Sequence, residues 1–243
     1  MRVLFCCILF AFNLFAGELT ILAAANLKNV LEVIKEEFVR NYPDEKITIT
    51  YLSSGKAYAQ IKNSFKADLF FSADEEKPQK LFDEGYALLQ PQIYAQGKLV
   101  LCTASGINIS TPYILKANKQ IVHIALANPK LAPYGKAGVE YLKNMELYPL
   151  VEKKLVYGDS IGQALNFVKS GNAEVGLNAL SLVIGDPSFS YLVLDPQYYS
   201  PIKQSFIILK NTQNPGLSRA FARFILSHDV QKIFERYGYT RGL

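Results

Sequence analysis

Four short stretches of this sequence share one arrangement: an apolar, strand-like run, a turn of small or polar residues, then the start of a helical pattern. They are Ala23-Ala24-Ala25-Asn26-Leu27, Leu52-Ser53-Ser54-Gly55-Lys56, Ala132-Pro133-Tyr134-Gly135-Lys136 and Asp159-Ser160-Ile161-Gly162. The first turn of a helix leaves main-chain N–H groups without an intrahelical partner, and the helix dipole adds partial positive charge at the same point. Such an end is a ready receptor for an anion. Asn, Ser and Asp are also ordinary caps that bond their own helix. One such stretch alone therefore says little; four together, two from each half of the chain, point to an anion held between them.

The physical demands on that site are specific. Removing a dianion from water costs several kcal/mol per ion, and each hydrogen bond to a charged partner returns about 1.5–3 kcal/mol. Several donors are required, and the main chain at these helix starts, with the Asn26 and Ser54 side chains, supplies them. A site of donors alone suits a tetrahedral oxyanion that carries no proton at neutral pH, whereas phosphate brings a proton that asks for an acceptor. Asp68, Asp74 and Asp159 read as caps, turns or hinge salt-bridge partners, because a carboxylate cluster would repel the guest.

The elements that must position these turns follow from hydrophobic period. Short β-rich runs alternate with amphipathic, helix-length segments, which predicts an α/β fold with mainly parallel sheets. Strands are expected at 19–23, 47–52, 68–72, 98–102, 121–126, 175–177, 191–194 and 205–209. Leu27, Val30, Leu31, Ile34 and Phe38 fall at helical spacing and form one buried face. Similar stripes run through 79–84, 137–145, 161–168, 217–226 and 230–237. Gly97 and Pro201 punctuate extended runs where the chain leaves one set of elements for another, so two crossing strands form a hinge and the C-terminal helices return to the first lobe. Ligand sites favour such domain interfaces and the carboxyl ends of parallel strands.

Arg2, the apolar run Val3 to Phe15 and the small pair Ala16-Gly17 read as a signal peptide, too short to span a bilayer, which takes ~20 residues. The expected organisation is 1–17 leader, 18–97 plus 203–243 first lobe, 98–202 second lobe. Cys6 and Cys7 fall within the leader, so Cys102 alone stays in the mature chain, as a small core hydrophobe, and no internal disulfide is possible. The formal charge of +5 is spread without a Lys/Arg block, which argues against nucleic-acid binding and mildly favours anions.

The run Leu19 to Leu31 with Ala-Ala-Ala-Asn-Leu, Ser53-Ser54-Gly55, and Ala67-Asp68-Leu69-Phe70-Phe71-Ser72-Ala73-Asp74 resembles the molybdate-binding periplasmic proteins of ABC transporters. Ala127-Asn128-Pro129, Ala132-Pro133-Tyr134-Gly135, Val175-Gly176 and Ile233-Phe234-Glu235-Arg236-Tyr237-Gly238-Tyr239 match that family in the same order, so the resemblance spans the mature chain. It implies a two-lobed periplasmic-binding-protein fold of type II and a solute-binding protein, not an enzyme. The implied ligand is molybdate or tungstate, with no cofactor, and the implied partner is an inner-membrane ABC transporter permease; a monomeric, periplasmic protein is expected. Carried over by position, Asn26 and Ser54 donate from side chain and backbone, Tyr134 and Ile161 donate by main-chain N–H, and Ala25 is a further contributor. Some members carry a Tyr whose hydroxyl binds the oxyanion where this chain has Ala179; Asn178 beside it reads as a buried structural amide.

Two rival readings remain open at this stage. Tyr198-Tyr199 is similar to the adjacent tyrosines of ferric-ion-binding proteins of the same fold, although His123 and His228 form no ligand cluster with them. Ser53-Ser54-Gly55-Lys56 has the Ser-x-x-Lys spacing of penicillin-recognising acyl enzymes, but the companion Ser-Asp-Asn and Lys-Thr-Gly motifs are absent.

Overall fold

A computed structural model describes residues 17–242; residues 1–16 of the expected leader, Cys6 and Cys7 among them, lie outside the described residues. The chain runs β1 (Glu18–Ala24), α1 (Lys28–Asn41), β2 (Lys46–Leu52), α2 (Ser54–Lys62), β3 (Leu69–Ser72), α3 (Glu76–Asp83) and β4 (Gln92–Gly97). It then crosses into β5 (Leu99–Thr103), α4 (Ile114–Ala117), β6 (Ile124–Ala127), α5 (Pro133–Asn144), α6 (Tyr148–Val151), β7 (Leu155–Gly158), α7 (Ile161–Lys169), β8 (Val175–Ala179), α8 (Leu180–Val183) and β9 (Ser190–Val193). It returns through β10 (Ile202–Ile208) to α9 (Pro215–Ile225), α10 (His228–Arg236) and β11 (Thr240–Arg241).

Each lobe is built on one sheet. The first has strand order β11-β4-β10-β3-β1-β2 and the second β7-β6-β8-β5-β9. β1 is apolar along both faces because helices cover it on both sides, and Leu19, Ile21, Leu22 and Ala23 are fully buried. The α1 stripe buries Val30, Leu31, Ile34 and Phe38 completely, and Leu27 in the turn just before α1 is buried with them. Phe38 meets Phe221 of α9 edge-on at 5.0 Å, which docks the returning helices on the first lobe. The core continues through both crossings by way of Tyr94, Ala95, Leu99, Tyr199 and Ile202.

The sheets are mixed rather than mainly parallel. β1 pairs parallel with β2 and β3, and β6 with β7 and β8. β10 runs antiparallel to β3 and β4, β11 to β4, and β5 to β8 and β9. The crossings explain this: a strand leaving a lobe and one re-entering it run in opposite directions, so β4 and β10 must pair antiparallel. The strand expected from Ile121 begins instead at Ile124, because the Glu174 carboxylate takes the N–H groups of Val122 and His123 at 3.0 and 2.7 Å. β4, β7 and β11 add strands that periodicity did not single out; β4 carries Gln92, Gln96 and Gly97 among its few apolar residues.

Candidate anion site

Sheet register gathers the four turns. Ala24 of β1 lies beside Leu52 of β2, so the turns bearing Ala25-Asn26 and Ser53-Ser54 leave neighbouring parallel strands at the same end. Ala127 of β6 lies beside Gly158 of β7 in the second lobe, which does the same for the turns leading to Tyr134 and Ile161. Asn128 N–H bonds Gly158 O at 2.7 Å and ties that pair together.

The lobes meet at these turns. Gly55 N–H donates to Leu131 O at 2.9 Å, joining the Ser54 turn to the Tyr134 turn across the cleft. A Cβ built on Gly162 would lie 3.6 Å from the Ala25 Cβ, so the Ile161 turn faces the Ala25-Asn26 turn. Lys56 pairs with Asp159 at the rim. Cavities of about 430 and 690 Å³ open on either side of this junction, the first bordered by Gly55, Leu131 and Lys136 and the second by Ala25, Ser160 and Gly162.

Local sequence fixes each donor. Ser53 Oγ caps α2 by accepting Lys56 N–H at 3.4 Å, so Ser54 is the first helical residue. Ser54 is fully buried, and its Oγ accepts Ala73 N–H at 3.0 Å, which leaves its own proton free to donate. Pro133 opens α5 with its fixed φ, and Tyr134 follows. Ser160 Oγ caps α7 through Gln163 N–H at 3.2 Å, making Ile161 the first helical residue. Among the described residues, the main-chain N–H groups of Asn26, Ser54, Tyr134 and Ile161 meet no acceptor. These are the orphan donors of helix starts, two from each lobe.

Side chains behave less uniformly. The Asn26 amide does not point a free N–H at the cleft: its Nδ2 donates to Gln204 Oε1 at 2.9 Å and to Tyr239 Oη at 2.8 Å, while Oδ1 is buried without a partner. Tyr134 Oη is likewise buried and unpartnered, wedged against Gly97. Burial, with the nearby Tyr239, Tyr199 and Tyr94 phenols, pushes its ionisation well above the usual range, so it stays neutral. Asn178 is structural, donating to Ile161 O at 3.2 Å and accepting Ala179 N–H at 2.9 Å, which steadies the start of α7. Gln204 and Ser181, which surround Asn26, were not singled out from sequence, and Tyr239 only as the end of the closing motif; their long-range hydrogen bonds reveal the role.

The rival chemistries lack their geometry. Tyr199 Oη accepts Leu99 N–H at 3.1 Å and Tyr198 packs edge-on to Tyr141 at 5.9 Å, so the tyrosine pair braces the crossing. Lys56 reaches Asp159 in the other lobe rather than a serine nucleophile. Asp68 accepts Thr20 N–H, Gln213 N–H and Thr212 Oγ1–H, and Asp74 pairs with Lys77, so both carboxylates are structural.

Comparisons with known proteins agree with this architecture. Residues 19–240 match the family model described as bacterial extracellular solute-binding protein. The molybdate-binding protein ModA of Rhodobacter capsulatus is 35% identical over 93% of this chain and 89% of its own. A putative ABC transporter substrate-binding lipoprotein of Bacillus subtilis is 30% identical over 91% of this chain and 86% of its own. The solved periplasmic molybdate-binding protein of Azotobacter vinelandii superposes with a TM-score of 0.86 at 33% identity, covering 91% of this chain and 98% of that one. With the fold, the paired turns and the family model in agreement along nearly its whole described length, the chain belongs to the bacterial extracellular solute-binding protein family.

Proposed function

We propose that this protein captures molybdate, and tungstate with it, between its two lobes and hands it to the permease of an ABC importer. The main-chain N–H groups of Asn26 and Ser54 from one lobe and of Tyr134 and Ile161 from the other hold the anion, with the Ser54 hydroxyl as an added donor and Ala25 at the wall. The residues named perform no bond-making step; the guest leaves as it entered. The supporting observation is the meeting, at the lobe junction, of helix starts whose N–H groups have no other acceptor. Donors without a paired carboxylate suit a dianion and offer nothing to the proton of hydrogen phosphate. An exported, monomeric protein whose leader ends near Gly17 fits a carrier that diffuses to its transporter.

Binding to the native state alone raises stability by RT ln(1 + [L]/Kd), about 2.7 kcal/mol at a hundredfold excess over Kd. Molybdate and tungstate therefore raise the melting temperature of the mature protein in step with the logarithm of their concentration, while equal sulfate does far less. Sulfate is an unprotonated dianion too but a smaller one, so equal stabilisation by sulfate would refute selection by anion size.

A further inference from the structure

Behind the anion site lies a buried ring of hydrogen bonds that capping and binding do not account for. Gln204 Nε2 donates to Ile202 O at 3.0 Å, which fixes the amide so that Oε1 faces Asn26. Asn26 must then present Nδ2, one N–H to Gln204 Oε1 at 2.9 Å and the other to Tyr239 Oη at 2.8 Å. The Tyr239 hydroxyl lies within donating distance of both Ser181 Oγ at 3.0 Å and Asn26 O at 3.1 Å, and Ser181 donates to Asn26 O at 2.9 Å. The ring of Asn26, Tyr239 and Ser181 starts and ends on Asn26, with Gln204 as a branch from it, and all four residues are between 0% and 3% exposed.

Each member is anchored to a crossing between the lobes. Gln204 lies two residues into β10, the returning strand. Tyr239 immediately precedes β11, whose Thr240 pairs with Gln96 of β4, the outgoing strand. Ser181 follows Leu180, whose N–H bonds Lys98 O at 3.0 Å in the short link between β4 and β5. Gly238 has φ +81 and lies against the Leu180 side chain, so a Cβ there meets both strain and collision, and the turn holds Tyr239 against α8.

We propose that Tyr239, with Gln204 and Ser181, is a positioning residue that locks Asn26 for the anion and ties its orientation to the hinge. Rotation of the second lobe moves Ser181 relative to Gln204 and Tyr239, and the closed ring passes that movement to Asn26. Anion capture and lobe closure are then one event, with the C-terminal segment as the coupler. The proposal rests on the oxyanion reading above.

Tyr239→Phe tests it, since the ring keeps its edge-on packing with Phe234 at 5.5 Å while the hydroxyl is lost. Calorimetric and stopped-flow titration with molybdate is expected to show Kd raised about tenfold or more, chiefly through faster release. Ser181→Ala removes the bond from the other lobe but leaves Tyr239 Oη within 3.1 Å of Asn26 O, so its Kd is expected to rise in the same direction by a smaller factor. In a double-mutant cycle, Asn26→Ala added to Tyr239→Phe costs much less than Asn26→Ala alone. Tyr94→Phe is the control, because it removes a buried phenol oxygen that has no partner, and it leaves Kd unchanged. A structural role would instead lower the melting temperature of ligand-free Tyr239→Phe with Kd unmoved and the cycle additive, and either result overturns the proposal. An equal loss in Tyr94→Phe overturns it too. Failure of the wild-type protein to bind any oxyanion refutes the reading beneath it instead.

Discussion

Ser54 and Tyr134 separate two kinds of donor. Ser54 offers an unengaged main-chain N–H and a hydroxyl whose proton is free, because Ala73 N–H occupies a lone pair rather than the hydrogen. Ser54→Ala removes one hydrogen bond to a charged guest, worth about 1.5–3 kcal/mol, so molybdate Kd rises roughly 10- to 150-fold in calorimetric titration, and the ligand-free melting temperature falls because Ala73 N–H loses its acceptor. Tyr134→Phe deletes a hydroxyl that already has no partner and leaves the main-chain N–H in place. Its Kd stays within about twofold of wild type, and its melting temperature holds or rises, since a buried unsatisfied group is lost. A large loss of affinity in Tyr134→Phe would move the contact to the phenol. At this scale the helix-start residues Ser54, Tyr134 and Ile161 were legible, because small or polar turns after apolar runs have a local signature. The fate of the Asn26 amide was not: its partners lie 178 and 213 residues away in sequence and obey no local pattern.

Helix starts become a site only if their elements come close, and glycines permit that approach. A Cβ on Gly55 would lie 2.9 Å from Leu131 O, the acceptor of the bond that joins the lobes. A Cβ on Gly135 would collide with Ala127 O at the end of β6. Gly55→Ala therefore holds the lobes apart with little effect inside either one: molybdate affinity falls at least tenfold while the ligand-free melting temperature changes by only a few degrees. Gly135→Ala shifts α5 off β6 and loses both affinity and stability. Calorimetry and thermal melts on the two variants distinguish closure from packing, and matching behaviour of the two would contradict the division. The amphipathic helices were plain from spacing, with Val30, Leu31, Ile34 and Phe38 buried together. Strand direction was not, because period reports which face is buried and says nothing of the partner's polarity. The crossings reverse β10 against β3 and β4, and that follows from topology rather than from any residue in the strand.

Across the whole molecule, one core runs through the crossings and joins the two sheets; in the proposed mode of capture the lobes turn as bodies about Gly97 and Pro201. In that proposal half the donors sit on each body, so binding is complete only when both are present and the anion is a ligand of the closed form. The cavities beside the junction carry Lys130 and Lys136 against Glu140 on one side, where Lys77 and Lys80 are paired with Asp74 and Glu76, and Lys28 and Lys169 against Asp186 on the other, a small positive excess at each mouth. The most direct measurement is a crystal structure of the molybdate-bound protein with the metal located by its anomalous scattering. One anion is expected at the lobe junction, its oxygens about 2.7–3.2 Å from the main-chain nitrogens of Asn26, Ser54, Tyr134 and Ile161. An anion held by one lobe alone, or at any place away from these four residues, would contradict the account.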